Sequence, residues 1–536
     1  MESFDDAPQP LDTEEFRRWG KNMIDLVADY WKDLPNRDRP FPAPEPGSIR
    51  AQFPSAAPEE PEEMKQIFED AKELVLNGTT HWHHPRFFAY FPTACSYPAI
   101  AADILSDGLA CIGFTWKSSP ACTEVEMAMM DWLAKALGLP EHFLFTHDGP
   151  GGGIIQCTAS DSTLVAMLAA RARTLSAYQS SIDTPVPADK PILEKVFASI
   201  QSKMRHLREV IESLVHSSAA QRLVAYCSDQ AHSSVERAGL LASVTIRKLK
   251  TDDNYSLRGP VLAAAIEEDR SNGLIPFCVI ATLGTTNSCA FDSLEELGPI
   301  CNQNNLWLHI DAAYAGSAFV CPEFRPLMKG IEHADSFNFN PHKWLLVNFD
   351  CSPMWFRNAT EVEQAFHVDP LYLKHEKQGL VPDYRHWQIP LGRRFRSLKI
   401  WFVLRAYGLN GLRLHIRKQC ALAKRFEELV RADTRFEVVV PVVLGLVCFR
   451  LKGKSNRINE QLLKAIDRNG LVHLVPATLG TTYILRLAIC STLTTAKDLE
   501  YSWSVIQELG ARILEEESMT EKKTEPNNLT ISNGVK

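Results

Sequence analysis

Two kinds of apolar spacing alternate along this chain. Over residues 14–34, EEFRRWGKNMIDLVADYWKDL, apolar residues recur three or four apart, the spacing of one helix face, until the proline-rich stretch 41–61 breaks the pattern. This predicts a helical docking arm. The middle of the chain reads differently: apolar, β-branched runs such as PFCVIATLGTT and LWLHIDAAYAG alternate with helical stretches such as DSLEELGPICNQ. Buried parallel strands joined by crossover helices follow from that alternation. Within residues 174–222 the chain first turns polar, then places Leu193, Val196, Ile200, Met204, Leu207, Ile211 and Leu214 at helical spacing. That is an amphipathic helix inserted ahead of the next strand, a packed surface helix or a partner or regulatory surface. Past residue 398, FEVVVPVVLGLVCFRLKG has the alternation of an antiparallel strand pair. The expected organisation is an N-terminal helical arm (1–96), a large domain (97–398), a small C-terminal α/β domain (399–515) and a disordered polar tail (516–536).

With 536 residues, 45% hydrophobic and 23% charged, the chain has globular composition and length for two or three domains. A net charge of -8 without a long basic run argues against nucleic acid as a partner. No apolar run approaches the roughly 20 residues of a membrane-spanning helix, so no membrane partner is expected. The acidic, proline-containing start lacks the basic and apolar regions of an export signal. Thirteen cysteines, an odd number without CxxC or zinc spacing, suit reduced thiols in the cytoplasm and no metal. The sequon at Asn528 then carries little weight. A small-molecule substrate is the default.

Chemistry gathers in four segments. In Asn338-Phe339-Asn340-Pro341-His342-Lys343-Trp344 one lysine stands in a polar, proline-fixed turn before the apolar run LLVNF. Burial disfavours its charged form, and the neutral amine can form a Schiff base with an aldehyde. A solvated surface lysine is the alternative. In Trp307-Leu308-His309-Ile310-Asp311-Ala312-Ala313-Tyr314 an apolar strand ends in a carboxylate, where a sheet offers its ligand crevice. Asp311 could hold a pyridine nitrogen protonated, or simply cap a helix. Gly151-Gly152-Gly153, leading through Thr158, Ala159 and Ser160 into a helical run, suits a phosphate or a flexible turn. In Ser228-Asp229-Gln230-Ala231-His232-Ser233-Ser234 small residues would let a flat ring approach His232, which otherwise reads as a structural hydrogen-bonder.

The segments THWHHPRFFAYFPTA, SPACTEVEMAMMDWL, SDQAHSSVERAG, HIDAAYAGSAF, FNFNPHKWLLVNFDCS and DYRHWQIPLGRRFRSLK resemble the aromatic-L-amino-acid decarboxylases, members of the group II pyridoxal-phosphate decarboxylases. They occur in the family's order from about residue 14 to 514; the long 174–222 stretch and the polar tail depart from its pattern. The resemblance implies the α/β, type I pyridoxal-phosphate-dependent transferase-like fold, with a mostly parallel sheet in the large domain. It implies pyridoxal 5'-phosphate as cofactor and a homodimer with its active site at the subunit interface. By similarity Lys343 carries the cofactor, Asp311 pairs with its ring nitrogen and His232 stacks on the ring. Ala159, Ser160, Asn340 and His342 surround the phosphate, with Thr286 and Ala313 lining the cofactor. Trp82, Tyr90, Phe91, Pro92 and Thr93 match the substrate-pocket segment, and Ile112 and Phe114 match residues contributed by the partner subunit.

The activity implied is decarboxylation of aromatic L-amino acids of the DOPA, 5-hydroxytryptophan, tryptophan, phenylalanine or tyrosine type to amines and carbon dioxide. Tyr372 matches the loop tyrosine that returns a proton to Cα, and residues 376–382 are polar and glycine-containing, as a lid would be. In the related aromatic acetaldehyde synthases this tyrosine is typically phenylalanine, or the stacking histidine asparagine; Tyr372 and His232 oppose that alternative. Intact Lys343 and Asp311 oppose a non-catalytic scaffold that kept the fold. Gly392, where relatives specific for histidine or tyrosine often carry serine, leaves room for a catechol or indole, a preference worth about 1 to 3 kcal/mol.

Overall fold

The computed structural model describes residues 12–42, 44–182, 218–368, 373 and 379–524. The amphipathic run at 193–214, Tyr372 and the end of the tail with Asn528 lie outside these residues. The chain forms two compact units, one of Phe91–Ala421 with Val440–Leu446, the other of Met1–Tyr90, Leu422–Val439 and Val447–Lys536.

The first unit is built on seven strands: β1 (Gly152–Gln156), β2 (Leu223–Ser228), β3 (Thr245–Leu249), β4 (Ile275–Thr282), β5 (Trp307–Asp311), β6 (Ser336–Asn338) and β7 (Ser352–Phe356). Their order is β1-β7-β6-β5-β4-β2-β3. The pairs from β6 through β5, β4 and β2 to β3 are parallel, and β7 runs against both of its neighbours. Every residue of β1, β2, β5, β6 and β7 is buried, the signature of a sheet covered on both faces. Helices such as Ala159–Ile182 and Ser234–Ala242 supply the cover, with Val165, Met167 and Val235 packing against Ile154, Phe277 and Trp307. The register aligns Thr282, Asp311 and Asn338 side by side at the carboxyl edge of β4, β5 and β6. In a parallel sheet that edge is where ligands bind.

The glycine run proves to serve packing and not ligand approach. Gly152 and Gly153 belong to β1, where a Cβ would collide with the Phe145 ring and with Met130 and Trp355; one on Gly151 would strike the His142 carbonyl. β1 is also held from the side by charge. Glu126, in the helix Pro120–Leu137, accepts the Ile155 N–H at 2.7 Å and pairs with Arg393, whose other arm donates to Gln388 at 2.9 Å. The Glu126 and Arg393 side chains are only 3% and 2% exposed. Arg393→Met should therefore strand a buried carboxylate, at a cost of about 3 to 5 kcal/mol. Denaturant unfolding of the variant would register it as a lower midpoint at unchanged slope.

In the second unit the arm helix Thr13–Asp33 begins at Asp12, whose carboxylate accepts the Glu15 N–H at 2.8 Å, with Glu14 and Glu15 favourably placed in the first turn. No residue of this helix is fully buried, and Phe16, Met23 and Ile24 are exposed. A four-stranded sheet in the order β10-β11-β9-β8 joins β8 (Phe436–Val438), β9 (Leu446–Leu451), β10 (Val475–Leu479) and β11 (Thr482–Ala488). The pairs β8–β9 and β10–β11 are antiparallel. The last helix, Ala496–Thr524, continues past residue 516, where polar composition suggested that order ends. Its helical spacing still brings Glu517 within 2.7 Å of Lys454, an anchor composition alone does not reveal. Among the described residues no helix is long and apolar enough to cross a membrane.

Candidate active site

At the carboxyl edge of the seven-stranded sheet lies a cavity of about 260 Å³. Strand ends supply its floor: Thr282 closes β4, Asp311 closes β5, and Gly284, Thr286, Ala313 and Tyr314 follow in the two turns. Asn340, His342 and Lys343 enter from the turn after β6, where Pro341 starts a helix of one turn and the Lys343 N–H bonds to the Asn340 carbonyl at 2.9 Å. The Lys343 ammonium nitrogen stands 5.8 Å from the centre of the Phe91 ring. Phe91 stacks on Tyr314 at 3.8 Å, and Tyr314 on Trp344 at 4.7 Å, so the wall made by Phe91 and Tyr314 is backed by a third aromatic ring. Aromatic stacking of this kind makes a rigid, apolar wall.

The polar groups are set by their own partners. Asp311 is buried, and one carboxylate oxygen accepts the Ala313 N–H at 3.0 Å. His232 accepts the Ser234 N–H on Nδ1 at 3.2 Å, so the neutral ring carries its proton on Nε2. Burial lowers its pKa; the Asp311 charge opposes this and the Lys343 charge reinforces it. His342 accepts the Cys351 N–H on Nδ1 at 2.9 Å, and burial foremost pushes its pKa down to about 3. Asn340 accepts the Ser352 hydroxyl proton on Oδ1 at 2.7 Å, leaving its NH2 group as the donor able to face the cavity.

The helix Ala159–Ile182 starts at the opposite wall. The Asp161 carboxylate accepts the Thr158 N–H and hydroxyl at 3.0 and 2.8 Å, while the Thr158 hydroxyl accepts the Asp161 N–H at 3.2 Å. This reciprocal cap fixes the helix start, and Ala159 and Ser160, its first residues, line the cavity where orphan amides favour an anion.

Two buried histidines of this unit link pH to stability. His342 and His309 are 5% and 0% exposed, with pKa values near 3 and about 4, against about 6.5 for an unfolded chain. The unfolded state binds more protons below pH ~6.5, so stability present above that pH is lost as the solution is acidified toward the folded values. Between about pH 6.5 and 5.5 the two sites together should remove about 2 kcal/mol, read as a falling denaturation midpoint that His342→Asn partly flattens.

Of the residues singled out in the sequence, Phe91, Ala159, Ser160, His232, Thr286, Asp311, Ala313, Asn340, His342 and Lys343 line this one cavity. Pro92 and Thr93 follow Phe91 without lining it. Ile112, Phe114 and Gly392 form no part of its wall; a Cβ on Gly392 would sit 3.7 Å from Ile112, which is 54% exposed, and the Gly113 N–H donates to the Arg393 carbonyl at 3.2 Å. Trp82 and Tyr90 belong to the other unit, where their rings stack at 5.2 Å. Thr158, from the segment read as suited to a phosphate, also lines the cavity, as do Thr282, Gly284, Tyr314 and Phe349, to which no role had been assigned.

These groups fit pyridoxal phosphate: an amine for an aldehyde, a carboxylate for a ring nitrogen, and amide and side-chain donors for a phosphate. The buried Thr282 hydroxyl oxygen, without a hydrogen-bond partner among the described residues, marks a wall made to meet a polar group. An α/β sheet carrying an amine, a carboxylate and a phosphate cradle at its carboxyl edge defines a pyridoxal-phosphate enzyme.

The comparisons narrow this. The conserved domain of pyridoxal-dependent decarboxylases matches residues 46–199 and 191–452, and the chain belongs to that family. It is 53% identical over 496 residues to an aromatic-L-amino-acid decarboxylase of Drosophila melanogaster, covering 92% of this chain and 91% of that one. Two crystal structures are similar in fold: Oryza sativa TDC with PLP and tryptamine, at a TM-score of 0.85 and 33% identity, and Rhodiola rosea 4-hydroxyphenylacetaldehyde synthase, at 0.82 and 34%. They cover 95% and 94% of this chain respectively, and the whole of their own chains.

Proposed function

We propose that this protein decarboxylates aromatic L-amino acids to aromatic amines with pyridoxal phosphate, as a cytoplasmic homodimer. The convergence of Lys343, Asp311 and His232 on one cavity walled by Phe91 and Tyr314 carries the reading. The Drosophila relative supports the aromatic substrate. The Rhodiola structure has the same fold, so shape alone does not separate amine from aldehyde production; Tyr372 and His232 favour the amine.

When bound, pyridoxal phosphate supplies an aldehyde that captures the substrate amine and a ring that accepts the electron pair released as carbon dioxide departs. Lys343 would hold the cofactor, its amine being the group that meets the aldehyde. Ala159, Ser160, Asn340 and the neutral His342 hold the phosphate, and Thr286 and Ala313 line the cofactor. Asp311 keeps the ring nitrogen protonated by its charge, a preorganised stabilisation that matters most as electrons arrive. His232, neutral with its proton on Nε2, would face the cofactor and orient the substrate carboxylate. Tyr372 delivers the proton that Cα must receive. Phe91, with Pro92 and Thr93, would receive the aromatic side chain, joined by Gly392 and by Ile112 and Phe114 of a second copy.

A homodimer accounts for apolar surface that the single chain leaves in water: Leu105, Leu109 and Ile112 in and after the helix Tyr97–Leu109, and Phe16, Met23 and Ile24 on the arm. The thirteen cysteines are all reduced thiols, in keeping with a reducing cytoplasm.

The test is turnover of L-DOPA, 5-hydroxytryptophan, tryptophan, tyrosine and phenylalanine, with carbon dioxide, amine, aldehyde and hydrogen peroxide followed together. Amine equal to carbon dioxide supports the reading; aldehyde with peroxide as main products overturns it. In Tyr372→Phe amine formation should fall by roughly 10²-fold or more while substrate consumption persists, the products shifting to aldehyde and peroxide. Sedimentation should give twice the chain mass.

A further inference from the structure

The face of β5 and β6 beneath the cavity is polar where a sheet core is ordinarily apolar. Trp307, His309 and Asp311 alternate onto one face of β5, and Ser336 and Asn338 stand beside His309 and Asp311 on β6. All five are buried, with His309, Ser336 and Asn338 fully enclosed. The Ser336 hydroxyl oxygen lies 2.8 Å from the Trp307 indole nitrogen and 2.8 Å from His309 Nδ1. Beyond it, His309 Nε2 and both polar atoms of the Asn338 side chain are buried together, and the Asn338 side chain supports the protonated form of His309 as a hydrogen-bonding neighbour. Polar atoms in so enclosed a cluster are costly unless they serve one another or a bound group.

Donor and acceptor identities allow one continuous relay toward Asp311. An indole N–H only donates, so Ser336 accepts from Trp307 and still has its own proton to give to His309 Nδ1. The neutral imidazole then carries its proton on Nε2, facing the Asn338 amide oxygen. The Asn338 NH2 group is then the donor available to the carboxylate of Asp311, its partner in register on the next strand, about 4.8 Å away between backbones. Enclosure keeps the imidazole neutral, since burial foremost pushes its pKa down to about 4.

We propose that His309 and Asn338 are positioning residues, a relay from Trp307 and Ser336 that donates a hydrogen bond to Asp311 and so fixes the carboxylate that holds the cofactor's ring nitrogen. The inference rests on the proposed role of Asp311 in binding pyridoxal phosphate. Neither residue touches the cavity; both act through Asp311. A carboxylate held on one side by the Ala313 amide and on the other by Asn338 has its rotation about the Cβ–Cγ bond removed before the ring arrives. Ligand-orienting partners of this kind are typically worth about 10- to 100-fold in affinity or activity.

The experiment uses the full chain and reads cofactor binding as well as turnover. His309→Leu and Asn338→Leu break the relay at similar volume, while His309→Gln keeps an acceptor for Ser336 and a donor for Asn338. The dissociation constant of pyridoxal phosphate from the apoprotein should rise about tenfold or more in the two leucine variants and stay within about threefold in His309→Gln. The pH dependence of the bound cofactor's visible absorbance should shift in the leucine variants alone, and kcat should fall with KM nearly unchanged. Equal behaviour of His309→Leu and His309→Gln, or an unshifted absorbance profile in Asn338→Leu, would overturn the relay. Should the leucine variants not fold, Ser336→Ala and Trp307→Phe decide: weaker cofactor binding supports the relay and unchanged binding refutes it. An unmodified protein that binds the cofactor but releases no carbon dioxide would refute the proposed activity and leave this binding test intact.

Discussion

Alanine at position 343 is expected to abolish turnover, with kcat lower by roughly four orders of magnitude and the fold intact. The lysine stands in a one-turn helix closed by the Asn340 carbonyl, and its neighbours Pro341, His342 and Trp344 are buried independently of the amine. Only its side chain reaches the cavity, so its loss should cost chemistry and little stability. Arginine at the same position separates charge from nucleophilicity. A guanidinium keeps the positive charge beside Asp311 yet cannot lose its proton to attack an aldehyde. If Lys343 served only as a counter-charge, Lys343→Arg would restore activity; it is expected to be as inactive as Lys343→Ala. Steady-state rates of both variants, with cofactor content measured after dialysis, check this.

Asp311→Asn should lower kcat by roughly 10²- to 10³-fold while leaving KM within a few-fold of its original value. Asparagine fills the same space and can still accept the Ala313 N–H on its oxygen, so the backbone turn after β5 survives. What disappears is the negative charge that holds a proton on the ring nitrogen. The effect belongs to the step in which electrons enter the ring, hence to kcat. A loss confined to KM would mean that Asp311 only binds. Asp311→Glu, which restores charge on a longer arm, should recover part of the rate.

Much of this site was legible because its chemistry sits where strands end. Asp311 closes an apolar run interrupted only by His309, and Lys343 follows Asn340-Pro341, a pair that stops a strand and starts a turn, so both were identifiable before any register was known. His232 was identifiable only together with them. Thr282 was not, because a threonine at the end of β4 gains meaning only when the register sets it beside Asp311. Tyr314 and Phe349 lay inside recognised segments, but which face of a turn meets a cavity is decided by packing; the stack of Phe91, Tyr314 and Trp344 joins residues more than two hundred positions apart. The glycine run at 151–153 misled because tight packing and close ligand approach demand the same residue, and only Phe145, Met130 and Trp355 show which applies.

The fold was legible to a similar degree. Continuous apolar runs marked β4 and β5 as buried parallel strands, and the alternation in FEVVVPVVLGLVCFRLKG marked the antiparallel pair β8–β9. The reach of the last helix to Thr524 was hidden, because Glu- and Lys-rich composition describes a solvated helix as well as an unstructured tail until Lys454 is seen beside Glu517. The buried pair of Glu126 and Arg393 was equally invisible, since 267 positions separate the two residues.

The most direct test of the central claim is to reduce the protein loaded with pyridoxal phosphate using borohydride, digest it, and locate the modified residue by mass spectrometry. A single pyridoxyl adduct on Lys343, lost when an aromatic amino acid is supplied before reduction, is the expected result. An adduct on another lysine, or none on a protein that still releases carbon dioxide, would contradict the assignment of this cavity as the site of the reaction.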